Sequence, residues 1–371
     1  MGKIYLPYAE QFDLMNKHLG DIAAAIGRDM DVSTWAGVQK AVRAGVAPSL
    51  FPVGTRLKAT HVGFGEILYD VVAHDHYKAA HDENAHTMTL MSHGVVLGNM
   101  SFDNKEAFYY VDDYLNPGTY HFTIPNTLGS WEAGTYQFTL ATRLSAGSQL
   151  VINDSPSESI SYVYFYANAT ATLATTQAMV TKGSGGTNLG TLGVELNHVE
   201  RAAYGSGNYK DSSIRQFLNS AADLNKWWTA KTKFDRIGDN VGNVTGFLAG
   251  MDRQLLEVIG EVEVPCVANP AWESPDSSVG AGEKYTVKDK VFLASRAEVF
   301  GEDTRDDGSS QLMYYKGATD ADRVKYLDGS AVNWFLRSTG LATAGCVDVV
   351  GAEITAKAYE TAGIVPVFNI V

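Results

Sequence analysis

Between residues 54 and 181 the chain repeats one pattern. Short runs alternate apolar and polar side chains and are broken about every 12–20 residues by turns, several containing Pro-Gly or Ala-Gly. The runs are EILYDVVAH (66–74), HTMTLMSH (86–93), EAFYYV (106–111), GTYHFTI (118–124), GTYQFTLAT (134–142), SQLVIND (148–154) and ISYVYFYANA (160–169). A period of two puts one face of a run in a core and the other in water, which is strand chemistry. The spacing predicts a β-rich, sandwich-like domain over 54–181. GTYHFT and GTYQFT form a local repeat, a turn glycine followed by alternating Tyr and Phe, and are read as strands.

The flanking segments read differently. Phe12, Met15, Leu19, Ile22 and Ile26 recur at alternating spacings of about three and four, an a/d seam of about two heptads, with Gly27 placed to end the helix. A helix this short needs partners. It either docks on its own domain or forms a short bundle with copies from neighbouring chains, in which case these five residues are the oligomerisation seam. A second helix is predicted at 34–44, capped by Ser33 and ended by Gly45, with Trp35, Val38 and Val42 on one face. Residues 1–50 are therefore read as a helical attachment or oligomerisation segment. The tract KGSGGTNLGTLG (182–193) holds five glycines and is read as a linker or exposed loop. Residues 194–371 are mixed, with helices predicted at 211–220 and 251–260 and short strands at 290–294, 333–337, 346–350 and 364–370. The fold class is α+β in three parts, 1–50, 54–181 and 194–371.

Composition narrows the function. Of the 371 residues, 45% are hydrophobic and 19% charged, enough apolar material for ordinary cores. A net charge of −13 argues against general binding to nucleic acid or anionic membranes. Two cysteines, Cys266 and Cys346, do not make a disulfide framework, although a single bridge stays open. The N-terminus lacks a basic n-region followed by an apolar h-region, so no signal peptide is expected. No apolar run reaches the roughly 18–20 residues of a membrane span.

Four groups invite a chemical reading. His74, His76, His81, His86 and His93 crowd one stretch with Asp75, Asp82 and Glu83. His74 and His76, two apart on a strand, would point to one side at metal-ligand spacing. Hydrogen-bonded structural histidines are the preferred reading, and no metal or cofactor is assigned. Cys266 and Cys346 have no neighbouring Cys and no evident activator, and no GxSxG, P-loop or paired-carboxylate signature is present, so no catalytic residue is assigned. Glu302, Asp303, Asp306 and Asp307 offer hard oxygens without EF-hand spacing and are read as a solvated acidic turn. Trp227 and Trp228 are read as core rather than as a sugar platform.

The blocks RAAYGSGNYKDSSIRQFLNS (201–220), WWTAKTKFDR (227–236), GFLAGMD (246–252), KVFLASRAEVFG (290–301), NWFLRS (333–338) and GIVPVFNIV (363–371), in this order, resemble a family found in gut-bacterial genomes and their prophages. That family has a C-type-lectin-like fold related to formylglycine-generating-enzyme domains. Its closing segment often serves as the variable region of a diversity-generating retroelement. The stretch 69–93 is similar to the amino-terminal part of the same phage-borne proteins. The resemblance implies a non-enzymatic display protein, a phage or prophage tail adhesin whose face at about 333–362 contacts a bacterial surface receptor, protein or glycan. It implies as ligand-binding positions Asn333, Gly340, Leu341, Thr343, Cys346, Asp348, Thr355, Lys357, Tyr359 and Thr361. It also implies a homo-oligomer, a trimer if the phage reading holds, other virion proteins as partners, and a place in the virion or, before assembly, the bacterial cytoplasm. The alternatives are a structural virion protein that uses this face for subunit packing and a formylglycine-generating-enzyme-like enzyme. The residues add a physical argument. Trp334, Phe335 and Leu336 beside Arg337 make a stiff base, and GIVPVFNIV makes a last central strand. The stretch 339–362 between them is small and chemically mixed, and is read as a tolerant exposed loop. It is Ala/Val/Thr-rich, where retroelement targets are commonly rich in Asn, Ser, Tyr and Gly.

Overall fold

The computed structural model describes residues 17–18, 31–128, 130–152, 161–167, 176–193, 198–238, 240–269, 282–301, 307–340 and 342–371. Phe12, Met15, Leu19, Ile22, Ile26 and Leu341, and the acids Glu302, Asp303 and Asp306, lie outside the described residues. The fold is a β-rich α+β arrangement.

The Tyr/Phe repeat forms two neighbouring antiparallel strands, β7 (Gly118–Ile124) and β8 (Gly134–Leu140), with Tyr120 opposite Phe138 and Phe122 opposite Tyr136. All four rings are buried. Each tyrosine hydroxyl donates to the carbonyl four residues earlier: Tyr120 to Asn116 at 2.7 Å and Tyr136 to Glu132 at 2.8 Å. The repeat is thus one local solution used twice, burying a ring while satisfying its hydroxyl. These strands belong to a seven-stranded sheet that runs β13 (Thr187–Thr191), β7, β8, β12 (Thr176–Lys182), β11 (Ser161–Tyr166), β10 (Gln149–Ile152) and β5 (Tyr109–Tyr110). The pair β6 (Tyr114–Leu115) and β9 (Leu144–Ser145) lies apart from it. The expected linker 182–193 is partly strand: β13 pairs parallel with β7, because the free backbone groups of that edge accept another strand whatever its composition.

The remaining strands make a second unit. One sheet is antiparallel throughout, in the order β1 (Arg56–His61), β2 (Gly65–His74), β3 (Met88–Ser92), β24 (Val367–Ile370) and β14 (Ile259–Gly260), with β17 (Val291–Phe292) also on β24. The other runs β22 (Glu353–Lys357), β21 (Thr343–Val347), β20 (Trp334–Thr339), β23 (Thr361–Ile364) and β4 (Leu97–Ser101). Two hairpins complete the set, β15 (Val262–Val267) with β16 (Lys284–Asp289), and β18 (Lys325–Leu327) with β19 (Ser330–Val332).

These pairings cross the boundaries expected from sequence. Strands β1–β4 join carboxy-terminal strands, and one apolar core runs from Val32 to Phe102 and again from Tyr209 to Ile370. A separate core gathers Phe108 to Leu192 with Ala202, Ala203 and Tyr204. The seven-stranded sheet is therefore inserted into the other unit. The helix Trp35–Arg43 is built into the larger core as well. Val38 and Val42 are buried, at about 1.5–3 kcal/mol each. Its Gln39 amide donates to the carbonyl of Val371 at 2.7 Å. Thr34 rather than Ser33 caps it, accepting the Gly37 N–H at 3.1 Å, because the Ser33 hydroxyl is engaged by Asp31.

A candidate ligand-binding face on the carboxy-terminal hairpin

The base of the site is stiff. Trp334, Phe335 and Leu336 are fully buried, and the Trp334 indole donates to the carbonyl of Arg323 at 3.1 Å. Arg337 lies beneath them, 1% exposed. It donates to Glu298 through both terminal nitrogens at 2.6 Å, to the carbonyls of Pro265 and Leu293 at 2.9 Å, and to Ser309 at 3.0 Å. Glu298 also accepts from the Tyr77 hydroxyl at 2.5 Å and from the Ser295 N–H at 2.8 Å, closing the capping box of the helix Arg296–Phe300. Burial opposes ionisation of Glu298, yet Arg337 and the nearby His76 hold its carboxyl well below the usual range. Asp307 joins the same network at 3.4 Å from Arg337, so it is not part of a solvated turn.

On this base stands the hairpin β21–β22. The expected loop 339–362 is instead largely strand, with Thr343 opposite Lys357 and Val347 opposite Glu353. Asp348 rigidifies the tip by accepting the N–H groups of Val350 and Ala352, both at 2.9 Å. Gly351 has φ +87°, and a Cβ there would lie 1.7 Å from the carbonyl oxygen of Asp320, so only glycine fits. Val349 and Val350 project at this tip, 46% and 63% exposed. Past the hairpin, Tyr359 stacks on Tyr204 at 6.2 Å, with Lys105 over its own ring and Lys357 over that of Tyr204. The Tyr359 N–H donates to the Tyr204 carbonyl at 3.1 Å. This stack ties the hairpin to the seven-stranded unit.

Between the hairpin and β23 lies a concavity of about 550 Å³, lined by Asn333, Cys346, Ile354, Thr355, Ala356, Tyr359, Glu360, Thr361 and Ala362. Five of the ten expected positions meet there: Asn333, Cys346, Thr355, Tyr359 and Thr361. Asn333, Thr355 and Thr361 are exposed and Tyr359 is half-buried. Cys346 is fully covered and serves as floor, which corrects its expected role as a contact. Gly340 is likewise corrected. It is buried, its carbonyl accepts from Asn269 at 3.0 Å, and a Cβ would meet Thr343 at 1.9 Å. Asp348 holds the turn, while Thr343 and Lys357 are half-buried partners across the hairpin. Ile354 and Glu360 were not expected. The alternation of β22 was the available signal for Ile354, once that segment is read as a strand.

The other groups have separate partners. Strand β2 ends at His74, because Asp75 turns the chain with φ +50°, so His74 and His76 do not share a strand face. His74 donates to the Phe51 carbonyl at 2.9 Å, while His81, His86 and His93 lie against Glu261, Asp75 and Asp70. Trp227 is buried and donates to the Val244 carbonyl at 2.9 Å, and Trp228 packs on the core. Cys266 and Cys346 are both buried and unbridged, and burial pushes the Cys266 thiol up to about 12.

Comparison with known proteins adds one finding. The description of a domain of unknown function, DUF6273, matches residues 172–371. The chain belongs to the DUF6273 family. The DUF6273 match takes in β12, β13 and the whole hairpin face, and leaves out β3 and β4, with which β24 and β23 pair. No curated protein and no solved structure matches the chain. Among the described residues no helix is long and apolar enough to cross a membrane.

Proposed function

We propose that this DUF6273 protein is a non-enzymatic ligand-binding display protein, a phage or prophage tail adhesin. In this reading its carboxy-terminal part is a C-type-lectin-like domain, and the face at 333–362 contacts a bacterial surface receptor. One observation carries it: a concavity rimmed by the exposed side chains of Asn333, Thr355 and Thr361 stands on a base fixed by buried Trp334 and the Arg337–Glu298 pair. A rigid frame under small, replaceable polar side chains suits a surface whose specificity changes without refolding. The buried thiols, with the Cys266 pKa raised, supply no thiolate nucleophile and so favour binding over a thiol-based reaction. Self-association through residues 1–30, expected to be trimeric, would raise a weak single-site affinity by avidity.

The test is the triple variant N333A/T355A/T361A in the full chain. Retention on a panel of bacterial strains is measured, with the urea midpoint as the control for folding. Loss of retention at an unchanged midpoint is expected. Unchanged retention would place the receptor contact elsewhere, and no retention of the parent chain on any strain would overturn the adhesin reading. A second reading, a structural virion protein, is favoured by the exposed Val349–Val350 tip, which suits packing against another subunit.

A further inference from the structure

A second cavity, of about 330 Å³, lies away from the hairpin face, where the start of the helix Trp35–Arg43 meets β1 and residues 252–254. That size falls in the ordinary range for small ligands. Trp35, Val38 and Val42 share one face of the helix by spacing. Val38 and Val42 are buried, but Trp35 is only half-buried. Thr34 caps the helix one residue earlier, so Trp35 stands in its first turn, where it packs on the edge of the core and lines the cavity. Beyond Thr60 the chain crosses β1 again: His61 bridges to Met251, and the Val62 N–H donates to the Gly250 carbonyl at 2.7 Å.

The polar groups of the lining fall into two sets. Its cations are engaged, Arg56 with Asp70 at 2.9 Å and Lys58 with Glu66 at 2.9 Å. Asp252 is held in place because one of its oxygens accepts the Leu255 N–H at 3.0 Å, capping the helix Arg253–Val258. Among the described residues Asp252 takes part in no ion pair, and the Trp35 indole N–H, the Thr60 hydroxyl and the Gln254 amide have no hydrogen-bond partner. The lining thus offers an aromatic ring, a carboxylate oxygen, a hydroxyl and an amide, beside apolar Val38 and Leu57.

We infer that this cavity binds a neutral sugar, an uncharged hexose ring with its C–H face on Trp35 and its hydroxyls on Asp252, Gln254 and Thr60. A pyranose carries both surfaces that the lining can use. Its apolar face suits an indole, and its hydroxyls donate to a carboxylate and accept from an amide or an indole N–H. Charge argues against other small ligands. An anion would meet Asp252 with Arg56 and Lys58 already engaged, and an ammonium would lie beside both of those cations. A wholly apolar ligand would take water from Asp252 and return no hydrogen bond. The assignment is independent of the hairpin-face reading.

The test titrates the full chain with the methyl glycosides of glucose, galactose, mannose and N-acetylglucosamine, and with glucuronic acid and glucosamine, followed by saturation-transfer NMR. At least one neutral glycoside is expected to bind in the millimolar range, at least about tenfold tighter than either charged sugar. D252N keeps a good capping residue, and T60V/Q254A alters only exposed side chains. Each is expected to weaken binding at least about threefold at an unchanged urea midpoint, and W35A at least about tenfold, whereas T355A/T361A leaves it unaltered. No binding of any neutral glycoside, or full affinity in both D252N and T60V/Q254A, would overturn the site. Tighter binding of glucuronic acid or glucosamine would overturn the ligand class. Binding that appears only after removal of residues 1–30 would assign the cavity to that segment and overturn the sugar.

Discussion

Replacing Arg337 by Met tests whether the base under the hairpin is held by a buried ion pair. The guanidinium is 1% exposed and Glu298 is 0% exposed, so R337M strands a carboxylate that no solvent reaches. Breaking one side of such a pair costs about 3–5 kcal/mol, because the remaining charge keeps its desolvation penalty. The carbonyls of Pro265 and Leu293 also lose a donor. At a urea slope of about 2–3 kcal/mol/M this predicts a midpoint lowered by about 1–2.5 M. The assay is urea unfolding followed by tryptophan fluorescence, to which fully buried Trp334 on the same strand contributes. The double variant E298Q/R337M removes the stranded charge while keeping oxygen for Tyr77 and nitrogen-bound hydrogen for nearby acceptors. It is expected to be less destabilised than the sum of the two single variants by at least about 1 kcal/mol. A midpoint shift below about 0.3 M for R337M, or simple additivity in the double variant, would refute the reasoning.

Three further outcomes are expected. Asp103 is buried and sits near Asp235 and Glu106, and burial first, then those acids, push it up to about 7 despite Arg201 and the Ser206 N–H. A raised carboxyl stabilises most below its unfolded value of 3.8 and loses that contribution as pH rises through 7, so the urea midpoint should rise between about pH 8 and about pH 6, and D103N should flatten the profile. Glu298, with its depressed pKa, loses its contribution progressively as pH falls below its unfolded value of 4.5, well under the pH 8 to 6 interval used for Asp103. The isolated segment 172–371 leaves β24 without β3 and β23 without β4, and is expected to aggregate; a soluble fragment with cooperative unfolding would contradict the pairing. Neither Cys266 nor Cys346 should react with a thiol reagent in the native chain, and both should react in urea.

The sequence carried local structure because local signals need no distant partner. The Tyr/Phe repeat, the helices near 213–218 and 253–258, and the buried run Trp334–Leu336 all follow from periodicity, caps and side-chain type. Four of the ten positions that the family resemblance implies, Asn333, Thr355, Tyr359 and Thr361, meet at the concavity without being buried, but the strands that place them, in a stretch read from sequence as a loop, and the burial of Cys346 and Gly340 were not legible, since both depend on what lies across from them. Partner choice was decided only by the tertiary structure. Period two says which side of a strand is apolar but not which strand it meets, so nothing local announces that Met88 pairs with Ile370 or Ser101 with Thr361. The same holds for charge: Arg337 and Glu298 become a foundation only when the chain brings distant side chains within hydrogen-bond reach.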